Sequence, residues 1–280
     1  MSRYRFALRP KWIISHVFVL TLVAAMVWAC TWQLSRLHEK QDRNAKVTDR
    51  TALPVVPVDS LIGPGQAAKA DSLQFRRASA TGKYRSDQEV LVRSRSRDGA
   101  PGSWILTPLQ EEGGTTVVVN RGWIPNSGQL EAVPSRYTAP SGTVTVVGLV
   151  QPTEVRGSFG PRDPKTGTLT NLARADLPRL DQQVPEDLLP VYLQLQTQRP
   201  AATQVYPAAV PKPELDEGPH LSYAFQWAAF SIAALIFYPL ILRRRAREIE
   251  KEALEAELDE PDPDDEPSSG DPRLDPVVEA

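Results

Sequence analysis

The chain has 280 residues, with 32 basic and 34 acidic side chains and a formal net charge of −2, a near balance that gives no general argument for binding nucleic acid. Its single cysteine, Cys30, excludes an intrachain disulfide and any copper or zinc site built on two thiolates. Its three histidines, His16, His38 and His220, leave a Ser-His-Asp arrangement without an evident imidazole away from the membrane segments described next.

Residues 1–11, with Arg3, Arg5, Arg9 and Lys11, read as a basic N-terminus, and 12–32 run from Trp12 to Trp32 without a lysine, arginine or carboxylate. At about 1.5 Å per residue such a run crosses a hydrocarbon core, with tryptophan at both interfaces. It is longer than the 7–15-residue apolar core of a cleaved signal, so an uncleaved anchor is expected. Val27-Trp28-Ala29-Cys30 imitates a lipoprotein cleavage box, but the bulk of Trp28 argues against it and for Cys30 as a small membrane hydrophobe.

Within 33–70 the first helix continues to about Arg50, ends before Pro54, and gives way to an irregular linker over Leu53–Ala70. Gly63-Pro64-Gly65 lacks the strand, helix and Gly-Lys-Ser/Thr of a phosphate loop. From 71 to 199 the period becomes strand-like. The segments Phe75–Tyr84, Val90–Ser96, Ser103–Leu109, Thr115–Trp123, Thr143–Val150 and Pro190–Thr197 are separated by turn signals such as Asp98-Gly99 and Gly113-Gly114. Thr168–Leu172 adds a short strand and Ala175–Leu180 a helical turn. The continuous apolar Val117-Val118-Val119 marks the sheet centre, covered on both faces.

Residues 200–220 form a proline-rich tether, and 221–242 a second transmembrane helix without a charge. A charged helix (243–258) follows, then a disordered acidic tail (259–280). Arg243, Arg244, Arg245 and Arg247 hold that end in the cytoplasm, as the basic N-terminus does the other. The fold class expected is therefore a membrane-anchored α+β protein, two transmembrane helices flanking an extracytoplasmic antiparallel β-domain of barrel or sandwich form. No Arg-rich amphipathic transit segment precedes Trp12, which favours a bacterial cell membrane.

The carboxylates lie in polar surroundings, which argues against acid–base catalysis. His220 is different. It stands at the outer boundary of the second span, and on a helix His220, Tyr223, Ala224 and Trp227 share a stripe. Trp28, Trp32 and Arg36 make a second stripe on the first span. Facing each other, the two would form a cleft with aromatic walls, one imidazole for iron and one guanidinium for a propionate, an inventory that suits a haem. The same residues are also ordinary interface anchors, with Arg36 facing lipid headgroups. On that reading His16 is a hydrogen-bonding residue inside the span and His38 a solvated one.

Trp32-Gln33-Leu34-Ser35-Arg36, Phe75-Arg76-Arg77 leading to Gly82-Lys83-Tyr84, Pro101 to Leu109, Asn120-Arg121-Gly122-Trp123-Ile124-Pro125 and His220-Leu221-Ser222-Tyr223-Ala224, in that order, resemble the surfeit-locus-one family, which assists assembly of haem-copper cytochrome c oxidase. The resemblance implies a non-enzymatic assembly factor that binds haem a transiently at the outer membrane face through His220, with Arg36, Trp32 and Tyr223 beside it, and assists its insertion into oxidase subunit I. Implied partners are that subunit, other assembly factors and the haem a synthesis machinery, alongside membrane lipid. The alternatives are a haem-independent scaffold for an immature oxidase subunit and, less favoured, a membrane-anchored enzyme. In the Asn120–Pro125 segment Gly122 is expected to permit a bend and Trp123 to fill the core, leaving Arg121 as the exposed recognition group.

Overall fold

The computed structural model describes residues 4–126, 130–202 and 204–258; the acidic tail from 259 lies outside the described residues. The chain divides into a helical unit, up to Glu39 and from Glu217, and a β unit, Lys40–Asp216.

Two long helices make the helical unit: α1, Pro10–Ala52, which runs on into the β unit, and α3, His220–Leu258. Proline at the first position of α1 costs nothing, because that N–H has no intrahelical acceptor. Each helix carries a stretch long and apolar enough to cross a membrane, and only 6% of each stretch is buried. Exposed apolar rows of that length are the surface a lipid-facing helix presents, not that of a core helix in a soluble protein. The helices run antiparallel. Cys30 Sγ reaches the Ala224 carbonyl at 3.4 Å near one end, and Tyr238 Oη lies 2.7 Å from His16 Nδ1 and 3.0 Å from Ser15 Oγ near the other. His16 is thus a hydrogen-bonding residue inside the apolar stretch, its Nε2 lying 3.1 Å from the Ala7 carbonyl.

The β unit holds β1 (Val56–Pro57), β2 (Arg77–Tyr84), β3 (Val90–Arg97), β4 (Ala100–Glu111), β5 (Thr116–Pro125), β6 (Thr143–Pro152), β7 (Asn171–Leu172), the short helix α2 (Leu177–Asp181) and β8 (Leu188–Arg199). Five strands close into a ring: β2 pairs with β6, β6 with β8, β8 with β5, β5 with β4, and β4 again with β2. Counted along the chain the ring order is 1-2-3-5-4-1 with the third and fifth strands parallel, the connectivity of the five-stranded OB-type Greek-key barrel. That connectivity carries no functional meaning by itself. The sheet is mixed rather than wholly antiparallel, because β1–β2, β3–β7 and β5–β8 pair in parallel. Parallel neighbours need long crossovers, and β5 reaches β8 only after β6, β7 and α2. Strand periodicity fixes which face a side chain takes but not which distant strand lies alongside.

β5 divides the interior. Val117 and Val119 point into the barrel with Ala78, Leu109, Val146 and Leu193. Val118 points the other way, into a second cluster with Val90, Val92, Leu172, Leu177 and Leu180. All three valines are fully buried, as a strand covered on both faces requires. The stretch after α1 also contributes: Val58 and Ile62 lie fully buried in the barrel cluster, so part of the expected linker is core. The proline-rich return is strapped down. Ala208 bridges to Trp123, Tyr206 packs against Trp123 and Tyr137, and Arg43 and Asn44 of α1 donate to the Glu214 and Leu215 carbonyls at 3.0 and 2.7 Å.

Barrel closure depends on Gly82, which pairs with Glu111 at the β2–β4 seam. A Cβ there would collide with the Gln110 carbonyl, and backbone in a ladder cannot give way as a flexible side chain can. Gly82→Val should cost about 3 kcal/mol of stability by urea unfolding of the detergent-purified chain. Gly113→Ala, with open space around it, should change stability by less than about 0.5 kcal/mol. Equal midpoints for the two variants would show that the seam tolerates a side chain.

Candidate functional site

His220 is the first residue of α3 and is half-buried. Its Nδ1 lies 2.8 Å from Gln33 Oε1 on α1. An amide oxygen can only accept, so Nδ1 is the donor, and in an imidazole that holds its proton there Nε2 is the nitrogen with an in-plane lone pair. This is how a ligand imidazole is oriented: one nitrogen is held by a fixed acceptor while the other faces a metal. Among the described residues no group of three or more His, Cys, Asp and Glu side chains could cage a bare metal ion. A haem does not need one, since its macrocycle supplies the equatorial nitrogens and the protein adds an axial ligand. The donor set around His220 fits that requirement and does not fit a bare zinc or copper ion.

The other site residues expected from sequence are distributed differently. Trp32 and Tyr223 are 43% and 47% exposed, and Arg36 is exposed as well. The Arg36 guanidinium lies 5.6 Å from the centre of the Trp32 ring and 2.7 Å from Glu39 Oε2. The less exposed face of α1 here is Met26, Cys30, Gln33 and Leu37. At 100° per residue, that row points roughly 130° away from Trp28, Trp32 and Arg36. On α3 the corresponding row is His220, Ala224, Trp227 and Ser231, with Tyr223 at its margin. The helices therefore meet through small residues, Cys30 and Ala224, and through the Gln33–His220 hydrogen bond, rather than through facing aromatic stripes. Gln33 is the functional candidate that sequence reasoning missed. Its signal is an amide at the end of an apolar run, three residues after Cys30 and so on the same face.

In the β unit, Arg121 is 7% exposed, so it is not a surface recognition group as expected from sequence. β5 has no open face, and the guanidinium must be neutralised where it lies. Nη1 sits 3.2 Å from Glu89 Oε2, which also accepts from Thr107 Oγ1 at 3.1 Å, and Nη2 donates to the Tyr137 carbonyl at 2.7 Å. The rest of the segment is structural too. Gly122 holds φ +133°, and a Cβ there would approach the Ala208 carbonyl to 2.5 Å, while the Trp123 indole N–H donates to the Arg95 carbonyl at 2.8 Å. Burial pushes the Glu89 carboxyl up and the Arg121 guanidinium down from their ordinary values; the mutual attraction opposes both shifts without overcoming either.

A buried pair of this kind is dear to break and cheap to replace. Arg121→Leu alone should destabilise by about 3–5 kcal/mol, while Glu89→Leu with Arg121→Leu should come within about 1 kcal/mol of the parent, measured by urea unfolding. Folded Glu89 keeps its proton to higher pH than the unfolded chain does. Its contribution is therefore complete below the unfolded pKa and is lost as pH rises through the folded value. The double variant should lack this pH slope.

The sequence profile of the SURF1 family matches residues 20–232. An uncharacterized SURF1-like protein of Mycobacterium tuberculosis is 31% identical over 270 residues, covering 89% of this chain and 91% of the relative. Surfeit locus protein 1 of Takifugu rubripes is 27% identical over 162 residues, 52% of this chain and 65% of the relative. The cytochrome oxidase assembly protein SHY1 of Saccharomyces cerevisiae is 24% identical over 176 residues, 59% of this chain and 43% of the relative. The matched residues take in most of α1, the whole barrel with its buried Asn120–Pro125 segment, and the start of α3 with His220, and on that extent the chain belongs to the SURF1 family.

Proposed function

We propose that this chain is a non-enzymatic assembly factor for cytochrome c oxidase that takes haem a at the outer membrane face and helps pass it to subunit I. The observation that carries the haem part is the hydrogen bond by which Gln33 holds the His220 ring at Nδ1. Family membership and the SHY1 relative support the oxidase part. The haem would supply the iron and macrocycle. His220 would supply one axial nitrogen, Gln33 its orientation, and Trp32 and Tyr223 exposed aromatic faces. Arg36, already stacked near Trp32, would trade its Glu39 contact for a propionate. A single protein ligand suits a carrier, because an affinity too high would prevent transfer. Oxidase subunit I, other assembly factors and the haem a synthesis machinery are the partners in this reading. The SHY1 relationship equally favours a scaffold that holds an immature oxidase subunit without haem.

Protein purified from cells that make haem a should carry its absorption band; a colourless protein would leave the scaffold. His220→Ala should remove most bound haem a with membrane insertion intact. Gln33→Leu should weaken binding by about tenfold through loss of ring orientation. Arg36→Ala should cost less, a contact worth about 1.5–3 kcal/mol or below that if wet. Unchanged occupancy in inserted His220→Ala protein would exclude His220 as the ligand and turn attention to His38.

In this reading the barrel lies on the extracytoplasmic side of a bacterial cell membrane, which the basic clusters at both ends favour. Reporter fusions after Arg9 and after Arg247 should score cytoplasmic and one near Gly160 external. An external signal from the fusion after Arg247 would overturn the two-span topology.

A further inference from the structure

The chain between β6 and β7, residues 153–170, has no regular secondary structure, yet it is fastened at several points. Arg93 Nη2 pairs with Asp163 at 2.8 Å, and both Asp163 oxygens accept from the Ala173 N–H. Arg174 donates to the Pro161 carbonyl, and buried Arg179 donates to the carbonyls of Pro164 and Gly167. A loop held this way could turn its apolar side chains inward. Instead Phe159 is 92% exposed and Val155 85% exposed.

Val155 lines a cleft of about 500 Å³ with Arg93, Arg95, Arg174, Glu154 and the apolar Pro161 and Ala173, and Phe159 lies two residues before Pro161 in the same loop. A β-bulge shapes its rim: Val92 pairs with Trp104 and Arg95 with Gly102, so Arg93 and Ser94 together face Ser103, with Ser94 at φ +58°. Arg95 is fixed by stacking 3.9 Å from the Trp104 ring centre and by its ion pair with Glu154. Among the described residues its buried Nε has no hydrogen-bond partner. Each guanidinium has five N–H donors, and the bonds that position Arg93 and Arg174 leave most of theirs for a ligand. Exposed Arg162 and Lys165 and half-buried Arg156 add charge along the same loop.

We infer that this loop and cleft form an anionic-lipid site, with Phe159 and Val155 entering the membrane interface while Arg93, Arg95 and Arg174 hold a phosphate headgroup. Isolated apolar tips beside cations fit a bilayer, which closes around each side chain. The cleft itself offers only the small apolar side chains of Val155, Pro161 and Ala173, and Phe159 stands exposed outside its lining, where a bilayer can receive it without a matching wall. The inference rests on reading α1 and α3 as membrane spans, since these keep a bilayer surface always within reach of the chain.

The test uses the full chain in nanodiscs. Ser158→Cys in a Cys30→Ala background carries an environment-sensitive dye next to Phe159, and lipids with a headgroup-level quencher report contact. Quenching should be at least threefold stronger in nanodiscs containing phosphatidylglycerol than in phosphatidylcholine alone. Phe159→Ser, and separately Arg93→Gln with Arg174→Gln, should abolish the difference. Co-elution of every variant with nanodiscs reports span insertion, so loss of insertion is seen separately from loss of loop contact. Equal quenching in both lipids, or none in inserted protein, overturns the inference. So does removal of the effect by inorganic phosphate at constant ionic strength, which would make the cleft a free-phosphate site. A dye response to an acidic peptide in detergent, without one to anionic nanodiscs, would assign the surface to a protein partner instead.

Discussion

β5 is covered on both faces, and much of the β unit follows from that constraint. A strand in this position has no water to which a polar side chain can turn, so a polar group on it either pairs inside the protein or stays unpartnered, as Thr116 Oγ1 and Asn120 Nδ2 do among the described residues. Val117, Val118 and Val119 meet the requirement trivially and join the two cores. Arg121 meets it through Glu89 and the Tyr137 carbonyl, which draws the start of β3 and the loop before β6 against the strand. Gly122 and Trp123 complete the arrangement by admitting the Ala208 segment close to the backbone. The most recognisable segment of the barrel is therefore a packing device.

What was readable in the sequence divides along the same physical line. Strands such as Val90–Arg97 and Thr143–Pro152 were legible because alternation and turn residues are local signals, and Val117–Val119 because a run without alternation means two covered faces. The parallel β5–β8 pairing was not legible, since it is closed by residues far apart in the chain. Nor was Arg121 read correctly: an arginine in a motif suggests a surface, and only the position of Glu89 across the fold reveals the buried partner. In the candidate site His220 stood out as an imidazole at a membrane boundary. Gln33 did not, because an amide gains meaning only once the helix face it shares with Cys30 is known to meet α3.

The helical unit shows how small residues set chemistry at a distance. Cys30 lies against the backbone of Ala224 and brings the helices close enough for a side chain on one to orient a ring on the other. A bulky residue at either position would part the helices and free the imidazole to take its other tautomer. Nearer the opposite end of the pair, Tyr238 with His16 and Ser15 makes a second polar crossing within apolar sequence, and two crossings fix the register of one helix against the other.

The strap from Tyr206 to Leu215 carries a consequence of a different kind. Its hold on the barrel comes from the Ala208 bridge, the Tyr206 ring contacts and the carbonyls accepting from Arg43 and Asn44, none of which requires an unbroken chain just upstream. A break in the backbone shortly after β8 would leave two pieces with their recognition surfaces intact, the second carrying α3 and His220. The protein is in this sense divisible, and its histidine-bearing half can be thought of as a separate peptide that the barrel holds by one backbone bridge, ring contacts and side-chain hydrogen bonds.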